Sequence, residues 1–97
     1  MIKFLHLTYH FEYSEPIEEI LDKHNIKDYV RIPMMEAKDC DGKHFGTQVY
    51  PGNSSVVQAQ VEEDILPDLL KDLREFRDLK SSRRHLQALV LPVEQKL

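Results

Sequence analysis

The sequence predicts an α+β domain of ferredoxin-like order, βαββαβ: a four-stranded antiparallel sheet with two helices on one face. Three observations lead there. Two segments carry apolar residues at helical spacing, four short segments have strand composition, and they alternate as two strand–helix–strand halves. Right-handed crossovers leave few other topologies for that order. At 97 residues the chain holds one core, so a single domain over 1–97 is expected.

Residues 2–11 (IKFLHLTYHF) alternate aromatic and apolar side chains and read as the first strand. Ser14 offers an N-cap, Glu15, Glu18 and Glu19 favour a helix start, and Pro16 is tolerated in a first turn. Ile17, Ile20, Leu21 and His24 recur at helical spacing, and Asn25 suits a left-handed stop, giving a helix over about 14–25. Residues 29–36 (YVRIPMME) return to strand composition, with Pro33 requiring an edge or a bulge. Residues 37–55 hold all three glycines and read as one long loop, a length that compact domains use sparingly. A third strand follows over 55–61 (SVVQAQV). Glu62, Glu63 and Asp64 load the start of a second helix whose stripe is Leu66, Leu69, Leu70, Leu73, Phe76 and Lys80. Ser81-Ser82 breaks it, and 86–93 (LQALVLPV) is the last strand.

Composition narrows the function classes. Hydrophobic residues make 41% and charged residues 31% of the chain, a globular balance. No apolar run reaches the roughly 18–20 residues of a membrane helix, so membrane insertion is not expected. Thirteen Lys and Arg against seventeen Asp and Glu leave a net charge of −4, which argues against a general basic field for nucleic acid. The start of the chain has no signal-peptide pattern, and one cysteine, Cys40, cannot close an intrachain disulfide. Both point to a reducing compartment, the cytoplasm.

The strand faces carry a prediction about partners. With both helices on one side, the other face holds Phe4, His6, Thr8 and His10, then Val56, Gln58 and Gln60, then Gln87, Leu89 and Leu91. A sheet face in water places charge at alternate positions; this one does not. It is expected to be covered by copies of the same chain.

Gly46-Thr47-Gln48-Val49-Tyr50-Pro51-Gly52 resembles the G-H-T-E-L-Y-R-G stretch in the T-loop of PII signal-transduction proteins. Leu89-Val90-Leu91-Pro92-Val93-Glu94 resembles the F-V-I-P-V-E run of their last core strand. The resemblance to the PII-like superfamily spans nearly the whole chain and implies a ferredoxin-like fold and a homotrimer with its sheets facing inward. It also implies ligand sites in the inter-subunit clefts near the T-loop base, with 37–55 as the T-loop-like segment. Arg84-His85-Leu86-Gln87 stands where those proteins carry the G-D-G-K run that cradles nucleotide phosphates. A cradle needs glycines because the backbone must approach the anion closely, so ATP or ADP sensing carries over poorly. The family glutamine that ligates magnesium and 2-oxoglutarate falls at His44, and Tyr50 matches a T-loop tyrosine.

Three clusters could carry chemistry. Asp39-Cys40-Asp41-Gly42-Lys43-His44 packs thiolate, imidazole and carboxylates that suit zinc or copper, although a polar turn has the same composition. His10 can join Glu12, two residues on, or converge with its copies around a three-fold axis; hydrogen-bonded interface histidines are the alternative. His6 and His10 lie about 13 Å apart along one strand, too far to share a metal within the chain. Lys80, Arg83, Arg84 and His85 form a basic cluster, either a phosphate site or the cationic end of the second helix. No nucleophile-elbow, P-loop or zinc-protease motif occurs, and a Cys40–His44 pair on a glycine-rich segment would lack fixed geometry.

The expected function is therefore a non-enzymatic, PII-like regulatory sensor. A small effector would be bound at the subunit cleft through His44, Tyr50, Arg83 and Arg84, changing how the loop docks on a protein target. A divalent-metal-binding or tolerance protein using Cys40, His44 and His10 is the second reading. A small dimeric ferredoxin-like enzyme is the third, and it requires a deep apolar pocket between helices and sheet.

Overall fold

A computed structural model describes residues 1–39, 42–44 and 53–97, with the side chains of 39 and 42–44 outside the description. The elements run β1 (Ile2–His10), α1 (Ser14–Lys23), β2 (Tyr29–Met35), β3 (Ala37–Asp39), β4 (Gly42–His44), β5 (Ser54–Glu62), α2 (Leu66–Asp78) and β6 (Gln87–Pro92). Single 3-10 turns at Phe11–Tyr13 and Ser81–Arg83 join β1 to α1 and α2 to β6. β2, β5, β1 and β6 form, in that order, an antiparallel sheet, which is the predicted ferredoxin-like arrangement.

One face of the sheet and both helices share a single core. Leu5, Leu7 and Tyr9 of β1 and Val57, Ala59 and Val61 of β5 pack with Ile17 and Leu21 of α1 and Leu66, Leu69 and Leu73 of α2. Leu5, Leu7, Ile17, Leu21, Val57 and Leu69 are fully buried, so the space between helices and sheet is filled by side chains. Leu70 and Phe76, also in the predicted stripe, pack at its margin. Lys80 lies beyond the end of α2 and is exposed.

The end of α1 follows from Asn25, which takes φ 60°. Ile26 N–H then reaches back to the Leu21 carbonyl at 2.9 Å and Asn25 N–H to Asp22 at 3.0 Å, the paired bonds of a Schellman stop, with Ile26 buried beneath. The start of α1 differs from expectation. Ser14 is already helical at φ −56° and ψ −45°, because the turn Phe11–Tyr13 feeds straight into the helix; its hydroxyl donates to the Phe11 carbonyl at 2.8 Å instead of capping. Glu62 ends β5 rather than opening α2, which starts at Leu66 with Pro67 behind it and Asp68 as the acid of its first turn.

β2 is an edge strand, and its pairing slips between Ile32 and Met35: Ile32 faces Val56, Met35 faces Ser54, and Pro33 and Met34 together oppose Ser55. Both outcomes expected of Pro33 are met. Met34 takes φ 57°, a left-handed backbone that costs an unbranched residue about 1 kcal/mol. The segment read as one loop over 37–55 contains a short hairpin, with Ala37 paired to His44 and Asp39 to Gly42, and β5 already begins at Ser54.

Candidate functional site

The register defines the face turned away from the helices. Three rows cross it: Val30, Gln58, His6 and Leu89; Ile32, Val56, Thr8 and Gln87; and Gln60, Phe4 and Leu91. No Asp, Glu, Lys or Arg stands in these three central rows; the adjoining row, Ile2 with Glu62, brings a carboxylate to the end of the face. Val30, Leu89 and Leu91 are 59%, 50% and 53% exposed, apolar surface that a solvated sheet face does not ordinarily collect. The alternation read from the sequence placed these residues on the side where the pairing puts them.

At one end of this face the start of β1 meets β5 and the start of β2 around an open groove of about 650 Å3. Phe4, Val30, Gln58 and Gln60 supply an uncharged floor, and two ammonium residues, Lys27 and Lys96, line it together with two carboxylates, Asp28 and Glu62. Tyr29 also lines it; burial, then the charges of Glu18 and Asp22, push its phenol above the ordinary range, so it stays a hydrogen-bond donor. Sequence reasoning missed this groove. Lys27 sits in a connection and Lys96 near the end of the chain, and only the folded sheet brings them together.

The opposite end is a clamp of rings. The Tyr13 hydroxyl bonds Ser82 Oγ at 3.0 Å, and its ring meets Phe76 edge-on at 5.9 Å. The Arg83 guanidinium lies 3.8 Å over the Phe76 ring and 5.5 Å from that of Tyr13, while Nη1 donates to the Phe76 carbonyl at 3.2 Å. Arg83 thereby ties the end of α2 to the turn after β1. His10 stacks toward Phe11 at 5.1 Å, and its Nδ1 stands 3.3 Å from Glu12 Oε1, the pairing expected from their spacing.

Beside this clamp Arg77, Lys80, Ser81 and Arg84 line a shallow hollow of about 400 Å3 together with Asp78. Arg84 Nη1 donates to the Ser81 carbonyl at 2.7 Å, and Arg77 Nε to Asp78 at 3.0 Å. Lys80 and Arg84 are thus brought together as the sequence implied. Arg77, in the last turn of α2, joins them because the helix ends just before the turn that carries Ser81.

Cys40, Tyr50 and the side chain of His44 lie outside the described residues, so the predicted Cys40–His44–His10 metal set is represented only by His10. Among the described residues no three His, Cys, Asp or Glu side chains gather into a metal site. Among them, too, no helix is long and apolar enough to cross a membrane.

No family model and no curated protein matches the sequence. Solved structures do match. CPII of Thiomonas intermedia K12, a nitrogen regulatory PII-like protein bound to ADP, AMP and bicarbonate, superposes with a TM-score of 0.76 at 19% identity, over 93% of this chain and 89% of that one. A proposed PII-like signaling protein of Thermus thermophilus reaches 0.65 at 16% identity, over 92% and 85%. A protein of unknown function from Pediococcus pentosaceus reaches 0.63 at 13% identity, over 99% and 95%. The resemblance to PII-like proteins therefore holds in the fold.

Proposed function

We propose that the chain is a PII-like regulatory sensor that works as a homotrimer and takes a small anionic effector between its copies. The observation that carries this reading is the open face: eleven paired positions without a carboxylate, ammonium or guanidinium, and three exposed aliphatic side chains among them. Covering such a face with further copies removes its apolar area from water at roughly 25 cal/mol per Å2. Once covered, the groove at one end of the face becomes a cleft between subunits, but Asp28 and Glu62 offset Lys27 and Lys96 there, so the anion is assigned to the Arg77–Lys80–Arg84 hollow at the other end.

The effector class follows from the charges and from what the similar CPII structure holds, namely ADP, AMP and bicarbonate. Arg84 stands where the resemblance places the glycine backbone of PII proteins, and Lys80 and Arg77 add side-chain charge beside it. Adenine nucleotides are accordingly expected to bind more weakly than a glycine cradle would hold them. His44 and Tyr50 would complete the site from the T-loop-like segment 37–55. Ordering such a segment opposes binding by its lost entropy, so an effector must touch it at several points to set its state for a protein partner. Arg83 is left out of this site because its ring stacking serves the clamp.

A divalent-metal role keeps one specific support, the His10–Glu12 pair at 3.3 Å, with Cys40 and His44 as the remaining proposed ligands. The dimeric-enzyme reading has less support, since the centre of the helix–sheet interface is packed with fully buried leucines and isoleucine. Non-enzymatic sensing is the reading we retain.

The test is native mass measurement followed by calorimetric titration with ADP, AMP and bicarbonate. Three times the 11.4 kDa chain mass, and saturable binding of at least one of them that Arg84→Ala weakens, is the expected result. A single chain at micromolar concentration, or no heat with any of the three, overturns it.

A further inference from the structure

The helix side of the sheet carries a cavity that the proposed sensor does not use. It holds about 400 Å3 and is lined by Phe11, Ser14, Arg31, Pro33, Met34, Asn53 and Ser55, within the size range of small-molecule sites. Its cause is the bulge. Two residues of β2, Pro33 and Met34, oppose the single Ser55, so the edge strand bows away from β5 and leaves space beside the start of α1. The walls are fixed from the other side. Phe11 N–H donates to the Asn53 carbonyl at 2.9 Å, and Ser14 Oγ donates to the Phe11 carbonyl at 2.8 Å.

The groups around this space are of three kinds. Asn53 Oδ1 is shielded from solvent and has no hydrogen-bond partner among the described residues, a deficit that an N–H donor would relieve. Arg31 uses Nη1 on Glu18 Oε1 at 2.7 Å, and its guanidinium has further N–H donors with which to hold a carboxylate. Phe11, Pro33 and Met34 make an apolar wall; Met34 is 75% exposed at the lip, on left-handed backbone that keeps it there. An acceptor short of a donor, a cation with donors to spare and an apolar wall are complementary to one molecule that has an ammonium, a carboxylate and an apolar side chain.

We infer that this cavity binds a free α-amino acid with an apolar side chain: carboxylate on Arg31, ammonium on Asn53 Oδ1, side chain against Phe11 and Met34. It stands on the face opposite to the proposed subunit contact, so it does not rest on the trimer reading and can fail separately from it.

The probe is L-leucine, titrated into the 15N-labelled chain while the backbone amides are followed by NMR. Saturable shifts at Phe11, Met34 and Asn53 are expected, with affinity in the millimolar range suited to so few atoms. Two fragments serve as controls, 4-methylpentanoate without the amine and 3-methylbutylamine without the acid. Each is expected to bind about tenfold more weakly, one charge-assisted hydrogen bond apiece. Arg31→Gln is expected to abolish the preference for leucine over the amine. Met34→Ala, at a position 75% exposed, is expected to weaken leucine several-fold. The proposal is overturned if the shifts stay linear to about 10 mM, above any useful millimolar constant. It is equally overturned if the controls match leucine, or if both variants bind it like the parent.

Discussion

The two faces of the sheet differ less in chemistry than in what covers them. On the helix side Leu5, Leu7, Val57 and Val61 are buried by α1 and α2. On the other side Phe4, Val30, Leu89 and Leu91 alternate with Gln58, Gln60, His6 and Thr8, again without charge; Val30, Gln60, Leu89 and Leu91 are exposed and the other four half-buried. A chain of this size has helices enough for one face. The comparison teaches that an antiparallel sheet can be poor in charge on both sides, and under the proposed assembly the polar but uncharged residues mark the side left to a further copy.

The sharpest way to break the comparison is to give the open face the charge it lacks. Leu89→Glu places a carboxylate beside His6 in the middle row and should reduce the particle to a single folded chain, read by light scattering, with the circular dichroism spectrum kept. A folded chain of unchanged mass would mean that the open face is simply wet. Next in size, Leu7→Ala on the covered face should remove about 3 kcal/mol from the folding of the chain, as cavity-forming substitutions do. It is best measured by urea unfolding in the Leu89→Glu background, where association no longer adds to stability. An equal loss on truncating Leu89 to Ala would erase the distinction between the faces.

The two faces were legible in the sequence because strand alternation is local and strict: Leu5, Leu7 and Tyr9 separate from Phe4, His6 and Thr8 by period alone. Asn25 and Pro33 were legible for the same reason, since each restricts its own backbone. Ser14 misled because a preceding 3-10 turn can move a helix start by one residue without changing any composition. The groove with Lys27 and Lys96, the Arg77–Lys80–Arg84 hollow and the cavity beside Met34 were not legible, since each joins residues distant in sequence. Even Arg83, correctly seen as part of a basic cluster, could not be seen lying on Phe76.

Smaller effects test how the covered side is closed at its margins. Arg83→Ala removes a guanidinium stacked at 3.8 Å on Phe76 and should cost about 1 kcal/mol, with Arg83→Lys recovering part of it. An Arg83→Ala chain as stable as the parent, but weakened for nucleotide, would move Arg83 from the clamp to the effector site.

The smallest effect concerns Asp72, which joins α2 to the end of α1. Lys23 Nζ donates to its carboxylate at 2.9 Å, and His24 Nε2 stands 2.7 Å from the same oxygen. The Lys23 bond first, then that of His24, hold the Asp72 carboxyl below its ordinary value of 3.8. A carboxylate whose folded value is depressed stabilises the fold above its unfolded value and loses that contribution as pH falls through the folded one. Lys23 is raised above 10.5 by the same bond, so its share is present below that pH and disappears as the solution becomes more alkaline. Asp72→Asn should therefore flatten both ends of the stability profile, below about pH 4 and above about pH 10, measured by urea midpoints across pH. The three central rows of the open face hold no Asp, Glu, Lys or Arg, and Asp72 ties the two helices of the covered side, so this titration belongs to that side. If the acid limb keeps its slope in Asp72→Asn, other carboxylates govern it and the tie between α1 and α2 is incidental to the fold.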